Sequence, residues 1–199
     1  MKHLRQQEAR LQLLWCLVVA CALGAVLVWR LWAVPIARSV AHAQPAALGE
    51  SVRIALPPGE VAGVWASGIS ALLGTIRCTA DVGGQPVALR RGPSLDWQDT
   101  LWWFTPREGF VQHLRLTGPH DGAVIDLHCR DSLDRYGGEF LIAADSFGTA
   151  RITRADVPTG SALAVAAVGL PLFAVVLTPI LAVQTIRRRR ARSAGRRAD

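Results

Sequence analysis

The chain has 199 residues, 51% of them hydrophobic, and a net charge of +7. This length suits one modest domain plus apolar segments. The charge argues against a nucleic-acid partner: residues 1–12 carry +2, Arg30 +1, residues 35–159 carry −2 and the tail from Arg187 +6. The basic excess thus sits at the two ends beside apolar runs, with no aromatic-interleaved basic face.

In chain order, residues 1–10 are a basic terminus. Leu11–Trp29 is a 19-residue run whose most polar member is Gln12, close to the roughly 20 residues a spanning helix needs. Read as a retained transmembrane helix or uncleaved signal anchor over 11–33, it keeps its N-terminus in the cytoplasm. Trp29 and Trp32 then lie at the far interface, where indoles settle. A signal peptide would be cut after Ala41-His42-Ala43, an A-x-A site, but that site lies 14 residues past Trp29. A lipoprotein signal at Val18-Val19-Ala20-Cys21 would need polar sequence after the cysteine, and Ala22–Val28 stays apolar. All three readings place the middle of the chain outside the cytoplasm. Ala20 and Gly24 form a small-xxx-small pair of the kind that admits a second helix, although small residues are common enough here for chance to explain it. Cys16 and Cys21 lie about 140° apart around a helix and read as inert membrane thiols.

Residues 34–50, with Pro35, Pro45 and several alanines, read as a linker. From Ser51 the apolar period becomes two. Val52, Ile54 and Leu56 alternate with Arg53 and Ala55, then Pro57-Pro58-Gly59 turns the chain. Val61–Ala66, Ile76–Ala80, Val87–Leu89, the aromatic Leu101–Thr105, Phe110–Leu116, Ile125–Cys129, Phe140–Ala144 and a shorter Phe147–Ile152 follow as strand candidates. Short strands with Gly and Pro turns every 8 to 15 residues indicate a β-sandwich over 51–158.

Cys78 shares a strand face with Ile76, and Cys129 shares one with Ile125 and Leu127. Both therefore point inward, and in an oxidising compartment they are expected to form a disulfide, across the sandwich.

Gly160–Ile186 is the second uncharged run, 27 residues long, followed at once by Arg187-Arg188-Arg189-Arg190. Cytoplasmic flanks collect Lys and Arg, so a helix over 160–186 ends inside and 187–199 is a basic cytoplasmic tail. Such tails also suit anionic lipid headgroups. Pro171 and Pro179 each remove a backbone donor, which membrane helices tolerate where neighbours compensate. Two spans with no intramembrane charge do not suit a channel or transporter.

Leu56-Pro57-Pro58-Gly59 leading into Val64-Trp65, a cysteine on a later strand, Phe104-Thr105-Pro106-Arg107-Glu108-Gly109-Phe110 and a final Cys129 strand form a recognisable order. It resembles small extracytoplasmic β-sandwich modules of actinobacterial two-span membrane proteins, most of them uncharacterised. Lys2 stands against 21 arginines, which fits the GC-rich coding of such bacteria. The resemblance covers about 110 residues of turn chemistry; it implies a location and a fold and carries no activity.

The sequence has no G-x-S-x-G elbow, phosphate loop, C-x-x-C or H-E-x-x-H, and no catalytic, cofactor or metal residue is assigned. His113 is expected to face water. Asp126, His128 and His113 could converge on a metal, but solvated surface histidines are the commoner outcome. Asp131–Glu139, DSLDRYGGE, reads as an acidic surface turn rather than a calcium loop. Ser67 and Ser146 have no positioned base. Trp102 and Trp103 cannot both face one core in a strand of period two, so one of them is the best candidate for a partner surface. The expectation is a non-enzymatic plasma-membrane protein whose outer sandwich binds or scaffolds another envelope component. The alternative is an accessory subunit that modulates a membrane enzyme or transporter through its helices.

Overall fold

The structure, a computed structural model, describes residues 2–91, 109–146 and 159–195. The Leu101–Thr105 and Phe147–Ile152 strand candidates lie outside the described residues. The chain divides into two compact units, Met1–Arg30 with Val165–Asp199, and Leu31–Ala164.

The first unit is a pair of apolar helices. Its helix α1 (Lys2–Val28) is followed by a π-helical turn, Trp29–Ala33, and by α2 (Val34–His42), which belongs to the second unit. The segment Ala9–His42 is long and apolar enough to cross a membrane, and so is Ala162–Arg188 of the C-terminal helix, Thr159–Gly195. Val18 of α1 packs with Ala174 and Leu181 of that C-terminal helix, flanked by Leu11, Trp15, Cys21 and Leu177. The contact stripe follows the three- and four-residue spacing of one helix face. The remaining faces expose large apolar side chains, among them Leu13, Leu23, Val26, Leu172 and Val175. Small residues do admit the second helix: a Cβ on Gly24 would lie 3.2 Å from Leu170 Cδ1. Ala20 does not share this role, being exposed, and Cys16 is exposed while Cys21 is half-buried.

Among the described residues the second unit holds nine strands in two antiparallel sheets. Sheet A has the order β1-β9-β3-β7-β6 and sheet B the order β2-β8-β4-β5. The strands are β1 (Ala46–Ala47), β2 (Ser51–Ala55), β3 (Val61–Gly68), β4 (Ile76–Val82) and β5 (Gln85–Val87). β6 (Arg90–Arg91), β7 (Val111–Thr117), β8 (Val124–Asp131) and β9 (Gly138–Ala144) complete them. One helical turn, α3 (Ile69–Leu72), follows β3. Both sheets feed one core: Ala62, Val64, Ala66, Leu116 and Phe140 from sheet A meet Ile76, Ala80, Ile125, Leu127 and Cys129 from sheet B. The period-two reading of β2, β4 and β8 holds, because in each of these strands one face is more buried than the other, fully in β8 and by half in β2.

Two expectations are corrected. Residues 34–50 are not a plain linker; they hold α2 and β1. Pro35 stands directly after the π-helical turn, where the helical hydrogen-bond pattern is already shifted, and α2 buries Ile36 and Val40 one turn apart. α2 packs on β9, where the Ala144 amide donates to Ser39 Oγ at 2.9 Å. β1 then adds an edge strand, pairing Ala46 with Phe140 and Ala47 with Glu139.

The Cys78–Cys129 disulfide is present, but it does not bridge the two sheets. The cysteines are direct register partners on β4 and β8 of sheet B, with Cα atoms 4.1 Å apart. Facing residues of an antiparallel pair approach this closely at non-hydrogen-bonded positions. Strand faces are legible from alternation; which strand lies beside which is not.

Candidate interaction surface

At the Gly68–Gly138 end of sheet A, two loops are tied together by buried polar groups. Gly68 has φ of +91°, and a Cβ there would come within 2.9 Å of the Gly137 carbonyl oxygen, so only glycine lets β3 turn into α3 here. Ser70, on α3, is fully buried, and its hydroxyl donates to the Tyr136 carbonyl at 3.0 Å. The Thr75 hydroxyl donates to Asp131 Oδ1 at 2.5 Å. Asp131 Oδ2 accepts from the Arg135 and Tyr136 amides, each at 3.0 Å, and the Ser132 amide donates to the Thr75 carbonyl at 2.9 Å. The Thr75 hydroxyl above all, with the backbone amides, outweighs desolvation and holds the Asp131 carboxyl down to about 2. Asp131 is therefore a buried hub and not part of an acidic surface turn.

The hub holds an apolar platform in place. Ile69, Leu72 and Leu73 around α3, and Leu133 and Tyr136 on the β8–β9 loop, are all exposed, Leu72 to 84%. Exposed large apolar side chains on a braced scaffold make this a candidate interaction surface. Beside it, Arg77 on β4 and Arg130 on β8 are exposed register partners. Like charges directly opposite cost stability. Arg77 Nη1 donates to the Gly74 and Ile76 carbonyls, which points its charge toward the α3 end. The sequence reading missed this platform, because α3 is too short to show a period.

The outer face of sheet A carries a second polar group, whose members bond chiefly to one another. Gln112 Nε2 donates to Asp145 Oδ1 at 2.7 Å, and Gln112 Oε1 accepts from the amide and hydroxyl of Ser146, both at 2.7 Å. Arg115 Nη2 lies 2.7 Å from Asp145 Oδ2. Gly63 makes room for this cluster: a Cβ there would lie 2.6 Å from Gln112 Cδ and 2.7 Å from Trp65 Nε1. Ser146 is thus engaged by an amide and not by a base.

The other sequence candidates are separated. His128 and Asp126 lie on sheet B, where Arg53 Nε donates to Asp126 Oδ1 at 3.0 Å and His128 Nδ1 sits 3.2 Å from the Glu50 carbonyl. His113 lies on sheet A and does not join them. It does not face water as expected. It is the extra residue of a β-bulge, since Val64 pairs with Leu114 and Trp65 with Gln112. Its Nε2 is buried and makes no hydrogen bond among the described residues. Burial first, and then the Arg91 charge, lowers its pKa below 6.5. Among the described residues no group of three or more metal-ligating side chains converges. Trp102 and Trp103 lie outside the described residues. No protein-family model matches the chain, and no curated protein and no solved structure is significantly similar to it.

Proposed function

We propose that this is an integral membrane protein of the cell envelope, non-enzymatic, whose extracytoplasmic β-sandwich binds a protein partner. Two helices long enough to cross a bilayer, basic flanks at both ends and a disulfide between them in sequence support both termini in the cytoplasm and the sandwich in an oxidising compartment. The observation that carries the binding role is the braced platform of Ile69, Leu72, Leu73, Leu133 and Tyr136 beside Arg77 and Arg130. Its chemistry calls for a protein segment with apolar side chains flanked by carboxylates, because a second copy would bring the same arginines against themselves.

A photo-crosslinking residue at position 72 of the full-length protein in membranes tests this. The expected result is a discrete protein adduct whose crosslinked peptide is acidic, and which is lost in R77E/R130E but kept when the probe protein carries T79A. Lipid-only adducts, self-adducts or no adduct would overturn the platform as the site. Partner recovery that survives deletion of 51–158 would instead favour the accessory-subunit reading, with the helices carrying the interaction.

A further inference from the structure

In an α-helix the amide of residue 171 would donate to the carbonyl of residue 167. Pro171 has no amide hydrogen, so the Ala167 carbonyl in α4 (Thr159–Gly195) has lost its helical donor. Ala167 is 1% exposed, facing α1. Trp29 Nε1 donates to this same carbonyl oxygen at 2.9 Å. We infer that Trp29 and Pro171 are a matched pair: the indole supplies the donor that the proline withholds, and this fixes the register of the two helices.

Three features support a register device over a simple interfacial tryptophan. Pro171 creates one accepting carbonyl at one height of α4, so only one alignment of α1 satisfies it. About one turn deeper, Gly24 lies against α4, where a Cβ would come within 3.2 Å of Leu170 Cδ1. At the far end, Trp15 Nε1 donates to Thr185 Oγ1 at 3.4 Å, while that hydroxyl donates to the Leu181 carbonyl at 2.7 Å. The two indoles are 14 residues apart, about 21 Å along the helix. A slip of one residue moves each by about 1.5 Å and turns it by about 100°, which breaks both bonds. The cost is larger where no water can replace the lost donor.

This assigns Pro171 to pairing within the chain, whereas exposed Pro179 stays on the outward face. The inference does not rest on the platform or its partner, so either can fail without the other. The test uses the full-length protein in membrane vesicles with C16S, and oxidative crosslinking of native Cys21 to L177C, two positions packed on the same cluster. W29F is expected to lower the crosslinking yield about fivefold, the size expected for one interhelical hydrogen bond in a membrane. P171A alone is expected to lower the yield less than W29F does, and W29F/P171A to recover it part of the way, because the returned amide satisfies Ala167 without the indole but no longer selects one alignment. If W29F fails to accumulate, restored accumulation of W29F/P171A is the same result. An unchanged yield in W29F, or a double variant as impaired as W29F, overturns the pairing.

Discussion

The two sheets solve burial differently. Sheet B exposes one face: β8 alternates so that Ile125, Leu127 and Cys129 are buried while Val124 and Arg130 are exposed. Sheet A is covered on both faces around β3, where Ala62 through Ala66 are all buried. Trp65, Leu141 and Ala143 point away from the shared core and are still buried, and α2 packs on that side. The indole of Trp65 ends on the Ala144 carbonyl at 3.1 Å, satisfying its N–H as a buried indole must. A sheet with one wet face tolerates change on that face. A sheet packed on both faces has no neutral side.

Removing the disulfide is the largest way to break this comparison. Among the described residues no helix packs on sheet B, which is stapled instead. The C78A/C129A variant is expected to lose about 4 kcal/mol, the chain-entropy cost of freeing a 51-residue span, read by denaturant unfolding of the full-length protein in detergent. A loss within error would mean that the sheet B pairing persists without its staple.

Next in size, G63A on the doubly covered sheet is expected to cost about 2 kcal/mol, since its Cβ must displace Gln112 or Trp65. T79A on the wet face of sheet B is expected to stay within about 0.5 kcal/mol. Equal effects in the same unfolding assay would erase the distinction between the sheets.

The smallest effects are those of pH, and each sheet has its own window. On sheet A, the His113 pKa is lowered from 6.5. The unfolded chain then takes up the proton first, so stability is full above that value and falls as the pH drops below it. On sheet B, Asp131 is lowered from 3.8 to about 2, so its contribution is present above 3.8 and lost as pH falls toward 2. Melting temperature against pH is expected to show the first loss abolished by H113Q and the second by D131N. Swapped or unaffected windows would reject these assignments.

Much of this arrangement is legible in the chain, where period and charge act locally. The two apolar runs, the alternation in β2, β4 and β8, and the pairing of Cys78 with Cys129 follow from residue order, because a strand's faces and a helix's length are properties of one segment. The turn at Pro57-Pro58-Gly59 is equally local, with Gly59 at φ of +73°. Four features depended on which segments meet. α2 read as a linker because proline and alanine gave it no visible partner. The disulfide was placed across the sheets because strand neighbours are not written in alternation. His113 was turned outward because one extra residue in β7 shifts the period, and a bulge has no signature in a single strand. The leucines of α3 carry no pattern of their own, and it is Ser70, Thr75 and Asp131 that brace the turn on which they are exposed. Sequence alone determined which surfaces are apolar and where the chain can turn. The tertiary structure decided which of those surfaces are covered, because burial depends on a partner contributed by a distant part of the chain.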